Sequence, residues 1–169
     1  MAKVPIQKPG LSKQDYETPI ELLVAIKKRL HIEKFSIDLA ASHKNKVADM
    51  CYTEEDDSLV QPWNVIPGSW GFCNPPFASI EEWVAKAASE SMQGANTVML
   101  LPASVGANWY RKWVEPYAFV SFLNGRLCFI TYWKNQGLKS KPLYPKDTML
   151  CFYTPWSFLG SEVWNWNPK

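Results

Sequence analysis

Several things that would each point to a function class are missing from this chain or scarce in it. No apolar run reaches the roughly 18 residues of a membrane span, and residues 1–10 hold no hydrophobic signal segment. The sequence therefore predicts a soluble, unprocessed chain with no membrane partner. Histidine is scarce, with only His31 and His43, and the four cysteines, Cys51, Cys73, Cys128 and Cys151, form no C-x-x-C pair. Without an H-x-x-x-H or Cys/His cluster, a metal centre has no support, and none is expected. Three of the cysteines lie in apolar runs such as Trp70-Gly71-Phe72-Cys73 and Met149-Leu150-Cys151-Phe152, the setting of buried reduced thiols rather than disulfides. Net charge is small too. The 18 Lys and Arg against 16 Asp and Glu leave +2, which excludes a disordered polyelectrolyte and a chromatin-type basic protein. Any nucleic-acid contact must come from a local patch.

What is present is apolar and aromatic. A chain of 169 residues, 47% of them hydrophobic, suffices for one globular domain over 1–169, burying about 70% of its unfolded surface. Repeats and low-complexity linkers are missing. Nine Trp are more than a core of this size ordinarily uses, which leaves some to stack on a flat ligand.

Thr18-Pro19-Ile20-Glu21 has the pattern of a capping box with Pro at the first helical position, and a helix to about His31 should follow. Residues 35–41 read as a short buried strand ending in an acid and small residues, and 47–52 as another before the acidic run Glu54-Glu55-Asp56-Asp57. Residues 70–73 form a strand running into Asn74-Pro75-Pro76-Phe77. A second capping pattern, Ser79-Ile80-Glu81-Glu82, then opens a helix with Ile80, Trp83, Val84, Ala87 and Ala88 on one face. The apolar run 97–101 suits a parallel strand covered on both faces. A short helix at 108–115, strands at 118–123 and 127–133, and a closing strand at 148–153 complete the layout. The pattern predicts an open, mainly parallel α/β sheet with an antiparallel member at its end. Ligands in such sheets bind beyond the strand carboxyl ends, where Asp38-Leu39-Ala40-Ala41 and Asn74-Pro75-Pro76-Phe77 both lie.

Pro75 and Pro76 lack an amide donor and have fixed φ, so this turn presents rigid acceptors and no strong base. The Asn74 side-chain oxygen and the Pro75 carbonyl can accept two hydrogen bonds from one planar NH2 group, turning its nitrogen lone pair toward an electrophile. Phe77 can stack on the ring carrying that group. The same residues also read as a strand terminator before a capped helix. Asp38 as a strand-end cap and 54–57 as a solvated loop are the corresponding structural readings.

With these residues in place, the chain resembles the phage-type (Dam-like) DNA N-6-adenine methyltransferases, and more broadly the amino-methyltransferases with a (D/N/S)-P-P-(Y/F) motif. The likeness runs from about Tyr16 to Phe129. Its ordered landmarks are Tyr16-Glu17-Thr18-Pro19, Phe35-Ser36-Ile37-Asp38-Leu39-Ala40-Ala41-Ser42, Asp56-Asp57-Ser58-Leu59 with Trp63, Phe72-Cys73-Asn74-Pro75-Pro76-Phe77, Leu100-Leu101-Pro102 and Gly125-Arg126-Leu127-Cys128-Phe129.

The resemblance implies a Rossmann-like methyltransferase fold and S-adenosylmethionine as cofactor. It implies methylation of adenine N-6 in double-stranded DNA after the base flips out, inside the bacterial host of a phage or prophage. Carried over by position, Thr18 and Pro19 lie against the cofactor's methionine end, with Tyr16 standing where many relatives carry Trp. Asp38 receives the ammonium group, Ala40 allows close approach in place of the usual glycine-rich turn, and Asn74 adjoins the methyl donor. Asp57 accepts from the cofactor's adenine amine, with Asp56 a close competitor. No residue is clearly placed for the cofactor ribose. Asn74, Pro75, Pro76 and Phe77 form the catalytic turn.

For DNA, residues 134–147 carry Lys134, Lys139, Lys141 and Lys146 with Tyr144 and no acid until Asp147, and Arg126 resembles a Gly-Arg-x-x-Phe landmark. A solvated loop and a structural ion pair are their plain alternatives. The Trp-rich tail at 155–169 either joins in sequence choice, packs across the sheet or forms a dimer contact; the sequence does not set the oligomeric state. Two other functions share these features. One is methylation of another planar amine, in RNA guanine, DNA cytosine or protein glutamine. The other is a non-catalytic module that binds single-stranded nucleic acid by stacking.

Overall fold

The structure, a computed structural model, describes residues 17–42, 45–132, 139–140, 143–156 and 159–167, with backbone only at 131–132 and 139–140. Helix α1 (Ile20–Leu30) buries Leu22 and Ile26, and its C-terminus closes on His31 in the left-handed region at φ 53°. The His31 and Ile32 amides donate to the Lys28 and Lys27 carbonyls, a Schellman-type end. Its start differs from expectation. Pro19 is the cap residue and no side chain caps the first turn. The helix begins one residue later than the sequence predicts, which puts Thr18 a residue too far away to cap. Ser79 likewise makes no side-chain cap to helix α2 (Ile80–Met92). That helix buries Ile80, Trp83, Val84, Ala87 and Ala88 as its spacing predicts.

The main sheet comprises β1 (Ile37–Asp38), β2 (Met50–Cys51), β3 (Trp70–Cys73), β4 (Asn96–Pro102), β5 (Ala118–Leu123), β8 (Thr148–Tyr153) and β9 (Gly160–Trp164). Its order is β2-β1-β3-β4-β8-β5-β9. Every pairing is parallel except those of β8 with β4 and β5. The antiparallel strand therefore lies inside the sheet, not at its end as the sequence pattern predicts. Chain order alone could not show that β8 returns between two earlier strands.

Alternation in the central strands explains the two-layer core. Met99, Leu101, Met149, Cys151 and Tyr153 pack toward α2, whereas Val98, Leu100, Leu150 and Phe152 face Leu22 and Ile26 of α1. The run at 97–101 is thus a strand covered on both faces.

Three strands are shorter than predicted. Beyond β1 the Leu39 amide still donates to the Phe72 carbonyl and the Ala41 amide to the Tyr52 carbonyl, but the Asp38 carboxylate takes the Ala40 and Val47 amides and folds the following loop back. The same contact uses the start of the 47–52 segment, leaving only β2. Of the predicted strand 127–133, the described residues 127–132 are not in the main sheet. Leu127 and Phe129 turn into the α1-side core, Cys128 and Ile130 make single antiparallel bridges to Leu143 and Glu17, and β6 (Thr131–Tyr132) pairs with β7 (Lys139–Ser140) in a separate ribbon. The short helix expected at 108–115 forms, with Tyr110–Val114 in π-helical geometry.

The aromatic tail packs on the molecule as edge strand β9. The Glu162 carboxylate accepts from Ser121 Oγ at 2.7 Å and from Arg29 of α1. The Arg29 guanidinium lies 4.9 Å from the Trp164 ring centroid, a cation–π contact that ties α1 to the sheet. Trp156 stays 87% exposed.

Candidate active site

The strand order reverses at β1, which pairs with β2 on one side and β3 on the other. An open α/β sheet leaves its ligand crevice beyond the carboxyl ends at such a point. Asp38 ends β1, and Asn74 follows β3 directly, with Asp38 in register with Phe72. Gly71 permits this close pairing, since a Cβ there would lie 3.3 Å from side-chain carbons of both Ile37 and Leu39. Two segments far apart in the chain thus reach one crevice.

Asp38 is only 5% exposed. Its Oδ2 accepts from the Val47 amide at 3.0 Å and its Oδ1 from the Ala40 amide at 3.3 Å. Burial holds its pKa above the ordinary 3.8, an effect that outweighs the two backbone bonds. A carboxylate has about four lone-pair positions, so two such bonds leave room for a cationic partner, whose charge would offset the desolvation. Ala40, half-buried two residues on, puts only a methyl group beside the carboxylate.

Across the crevice, Asn74 Nδ2 donates to Thr18 Oγ1 at 3.3 Å. Thr18 is buried and outside helix α1. Its hydroxyl, which the sequence pattern assigns to a helix cap, meets the Asn74 side chain instead. That bond places the amide nitrogen toward Thr18 and the oxygen on the other branch. Pro19 and Pro75 are buried, Pro76 is exposed and Phe77 is half-buried. The Phe77 ring meets Tyr144 edge-on at 5.9 Å, and Tyr144 meets Phe129 at 5.3 Å. Tyr144 lies in the lysine-bearing segment, so the near end of that segment docks against the turn. A cavity of about 340 Å³ opens beside Thr18, lined also by Glu17, Lys27, Phe35, Asn45 and Val47. It adjoins the Thr18 end of the crevice without reaching Asp38 or Asn74.

The acidic pair divides by geometry. Asp56 Oδ2 accepts from the Thr53 amide and hydroxyl, both at 2.8 Å, and so closes a turn. Asp57 is exposed, with a left-handed backbone at φ 50°. Arg126 is half exposed and pairs with Asp147 at 3.2 Å. Tyr16, Lys134 and Lys141 lie outside the described residues, and Lys139 is described only by its backbone in β7.

Cys73, next to Asn74, is fully buried, and desolvation pushes its thiol well above the ordinary range. It is no nucleophile. Among the described residues no group of His, Cys, Asp and Glu could hold a metal ion, and no helix is long and apolar enough to cross a membrane. Sequence reasoning missed the Thr18–Asn74 contact, for which no local pattern exists. It also missed the buried carboxylate of Glu90. The signal for that one was present, because Glu90 continues the apolar stripe Ile80, Trp83, Ala87 at helical spacing.

A protein of Escherichia phage T1 named DNA N-6-adenine-methyltransferase is 29% identical to this chain over 104 residues. The match covers 62% of the chain and 42% of that relative, so the chain spans less than half of the relative's length. A family profile described as DNA N-6-adenine-methyltransferase (Dam) matches residues 7–161. That match takes in both sides of the switch-point crevice and nearly the whole sheet, and it means that the chain belongs to the DNA N-6-adenine-methyltransferase family.

Proposed function

We propose that this chain transfers a methyl group from S-adenosylmethionine to the exocyclic N-6 amine of adenine in double-stranded DNA, in the cytoplasm of a bacterial host. The observation that carries the reading is the placement of two segments at the carboxyl ends of adjacent parallel strands. A buried carboxylate suited to an ammonium group, Asp38, ends β1, and the turn whose amide oxygen and carbonyl suit a planar amine, Asn74-Pro75, follows its neighbour β3.

S-adenosylmethionine supplies an electrophilic methyl group on a sulfonium. The chain's residues do the rest by placement. Asp38 holds the ammonium end, Thr18 and Pro19 wall the methionine end with Tyr16, and Ala40 leaves room for it. Asp57 accepts from the cofactor's adenine amine, since the Asp56 carboxylate is engaged with Thr53. The Asn74 oxygen and Pro75 carbonyl accept from the target amine, hold it at near-attack distance and stabilise the positive charge that develops on nitrogen. Pro76 keeps the turn rigid. The target base must leave the duplex stack at a cost of a few kcal/mol, offset by stacking on Phe77 at about 1–3 kcal/mol.

The test incubates the protein with methyl-labelled S-adenosylmethionine and, separately, unmethylated duplex DNA, RNA and protein, and identifies the labelled nucleoside or residue after digestion. Label in N-6-methyladenine from DNA supports the reading. Label in cytosine, guanine or glutamine overturns the substrate. No label with no cofactor binding overturns the enzyme.

DNA contact falls to Lys134, Lys139, Lys141 and Arg126. The exposed Arg126–Asp147 pair is worth at most about 1 kcal/mol, so a phosphate can replace Asp147 cheaply. Alanine at any one of the four should weaken DNA binding about equally for all sequences. It should also lower the slope of log affinity against log salt by about 0.9 for each phosphate no longer neutralised. Salt titrations of binding to two unrelated duplexes check this; an unchanged slope removes that residue from the interface.

A further inference from the structure

We infer that Glu90 is a positioning residue that holds the Asp57 loop on helix α2 and so sets the cofactor's adenine end; the inference rests on the cofactor reading above. Glu90 lies near the C-terminus of α2 and is 6% exposed. Its Oε1 accepts from Lys86 Nζ at 2.6 Å, and its Oε2 accepts from the backbone amide of Trp63 at 3.0 Å. Trp63 is itself buried and its ring packs 6.1 Å from that of Trp83 on the same helix. The Trp63 indole Nε1 donates to the Ser58 carbonyl at 2.8 Å. Ser58 is covalently next to Asp57, whose own carbonyl accepts from the Val60 amide at 3.0 Å. Two hydrogen bonds therefore run from Glu90 through Trp63 to Ser58, one peptide bond away from Asp57.

Burying a carboxylate is costly unless it is paired, and an apolar residue would fill the stripe position more simply. Glu90 adds what an apolar residue cannot, a charge-assisted bond to the backbone of a loop with no regular structure. Helix α2 also begins just after Asn74-Pro75-Pro76-Phe77. One rigid rod thus carries the methyl-acceptor turn at its N-terminus and the clamp for the Asp57 loop near its C-terminus. Asp57 is exposed, so its place depends on this backbone clamp.

The experiment measures S-adenosylmethionine affinity by calorimetry, KM for cofactor and DNA, kcat at saturation, and the urea midpoint, for the wild type and three variants. Glu90→Ala removes both bonds. Glu90→Gln keeps an oxygen for the Trp63 amide but drops the charge. Trp63→Phe removes the bond to Ser58. Glu90→Ala should weaken cofactor affinity about tenfold, the equivalent of one hydrogen bond to a charged group. Glu90→Gln and Trp63→Phe should shift it in the same direction by less, with kcat and the DNA KM within about twofold of wild type. If Glu90→Ala does not fold, the same split in the other two carries the test. A lower urea midpoint with unchanged cofactor affinity, or a fall in kcat with unchanged affinity, overturns the inference by making Glu90 merely structural or catalytic. A wild-type protein that binds no S-adenosylmethionine overturns the inference together with the cofactor reading.

Discussion

Asn74→Ala should turn over about 10²–10³-fold more slowly than wild type, while its cofactor affinity and urea midpoint stay close to wild type. The size is that of losing one preorganised group aimed at charge that develops only in the transition state. Stability should hold because the side chain is half-buried and its bond to Thr18 is long at 3.3 Å; such a bond contributes about 1 kcal/mol or less. The fold of the turn itself rests on Pro75 and Pro76, which the substitution leaves in place. Asn74→Asp keeps an acceptor oxygen and matches a residue allowed in the (D/N/S)-P-P-(Y/F) motif, so it should retain part of the turnover. Single-turnover methylation of a duplex by both variants checks the pair. Near-normal methylation by Asn74→Ala would rule out the amine-orienting role.

The second large effect is at Asp38. Asp38→Asn should weaken S-adenosylmethionine binding about 10- to 100-fold, the range of a missing charge-assisted hydrogen bond in a dry site. Its pH dependence separates this role from a purely structural one. Burial raises the Asp38 pKa above 3.8, and only the ionised carboxylate attracts an ammonium group. Wild-type affinity should therefore begin to fall at a pH above that of an ordinary aspartate, by about tenfold per unit once below the folded pKa. The Asp38→Asn protein should show weak and pH-independent binding over the same range. The effect on stability has the opposite sign. The folded state holds the proton more tightly, so this group favours folding most below the unfolded pKa, and that contribution is lost as pH rises through the folded one. Acid should thus weaken cofactor binding before it harms the Asp38 region of the fold. Equal pH profiles for the two proteins would assign Asp38 to loop closure alone.

Much of this protein is legible in its residues because the physics involved is local. Strand β4 announces itself as an apolar run, α2 as a stripe at helical spacing, and the Asn74–Phe77 turn as two prolines that fix φ and remove donors. The acid ending β1 and the turn ending β3 are both visible as strand-end segments. The misses have physical causes as well. The capping pattern at Thr18-Pro19-Ile20-Glu21 is a correct local signal that tertiary structure overrides. The helix starts one residue late, and the hydroxyl goes to Asn74. The strands at 35–41 and 47–52 come out shorter than their patterns suggest, and one side chain, Asp38, holds an amide from each segment, those of Ala40 and Val47. The aromatic tail carries no strand signal strong enough to separate it from a loop. Its pairing with β5 is held by Glu162, Ser121 and Arg29, residues scattered over the whole chain.

The fold class, the family and the two strand-end segments at Asp38 and Asn74 can be read from the residues alone. Periodicity, proline placement and ordered motifs are all properties of short stretches, and they survive without knowledge of distant contacts. That β8 runs backward inside the sheet and that Thr18 meets the Asn74 side chain emerge from the folded chain alone. It alone divided the acidic pair, engaging Asp56 with Thr53 and leaving Asp57 exposed, and it alone revealed Glu90 as the anchor of the loop that carries Asp57. Each of these depends on which segments meet across the sheet, and a hydrogen bond between residues far apart in the chain leaves no mark on the residues beside either one.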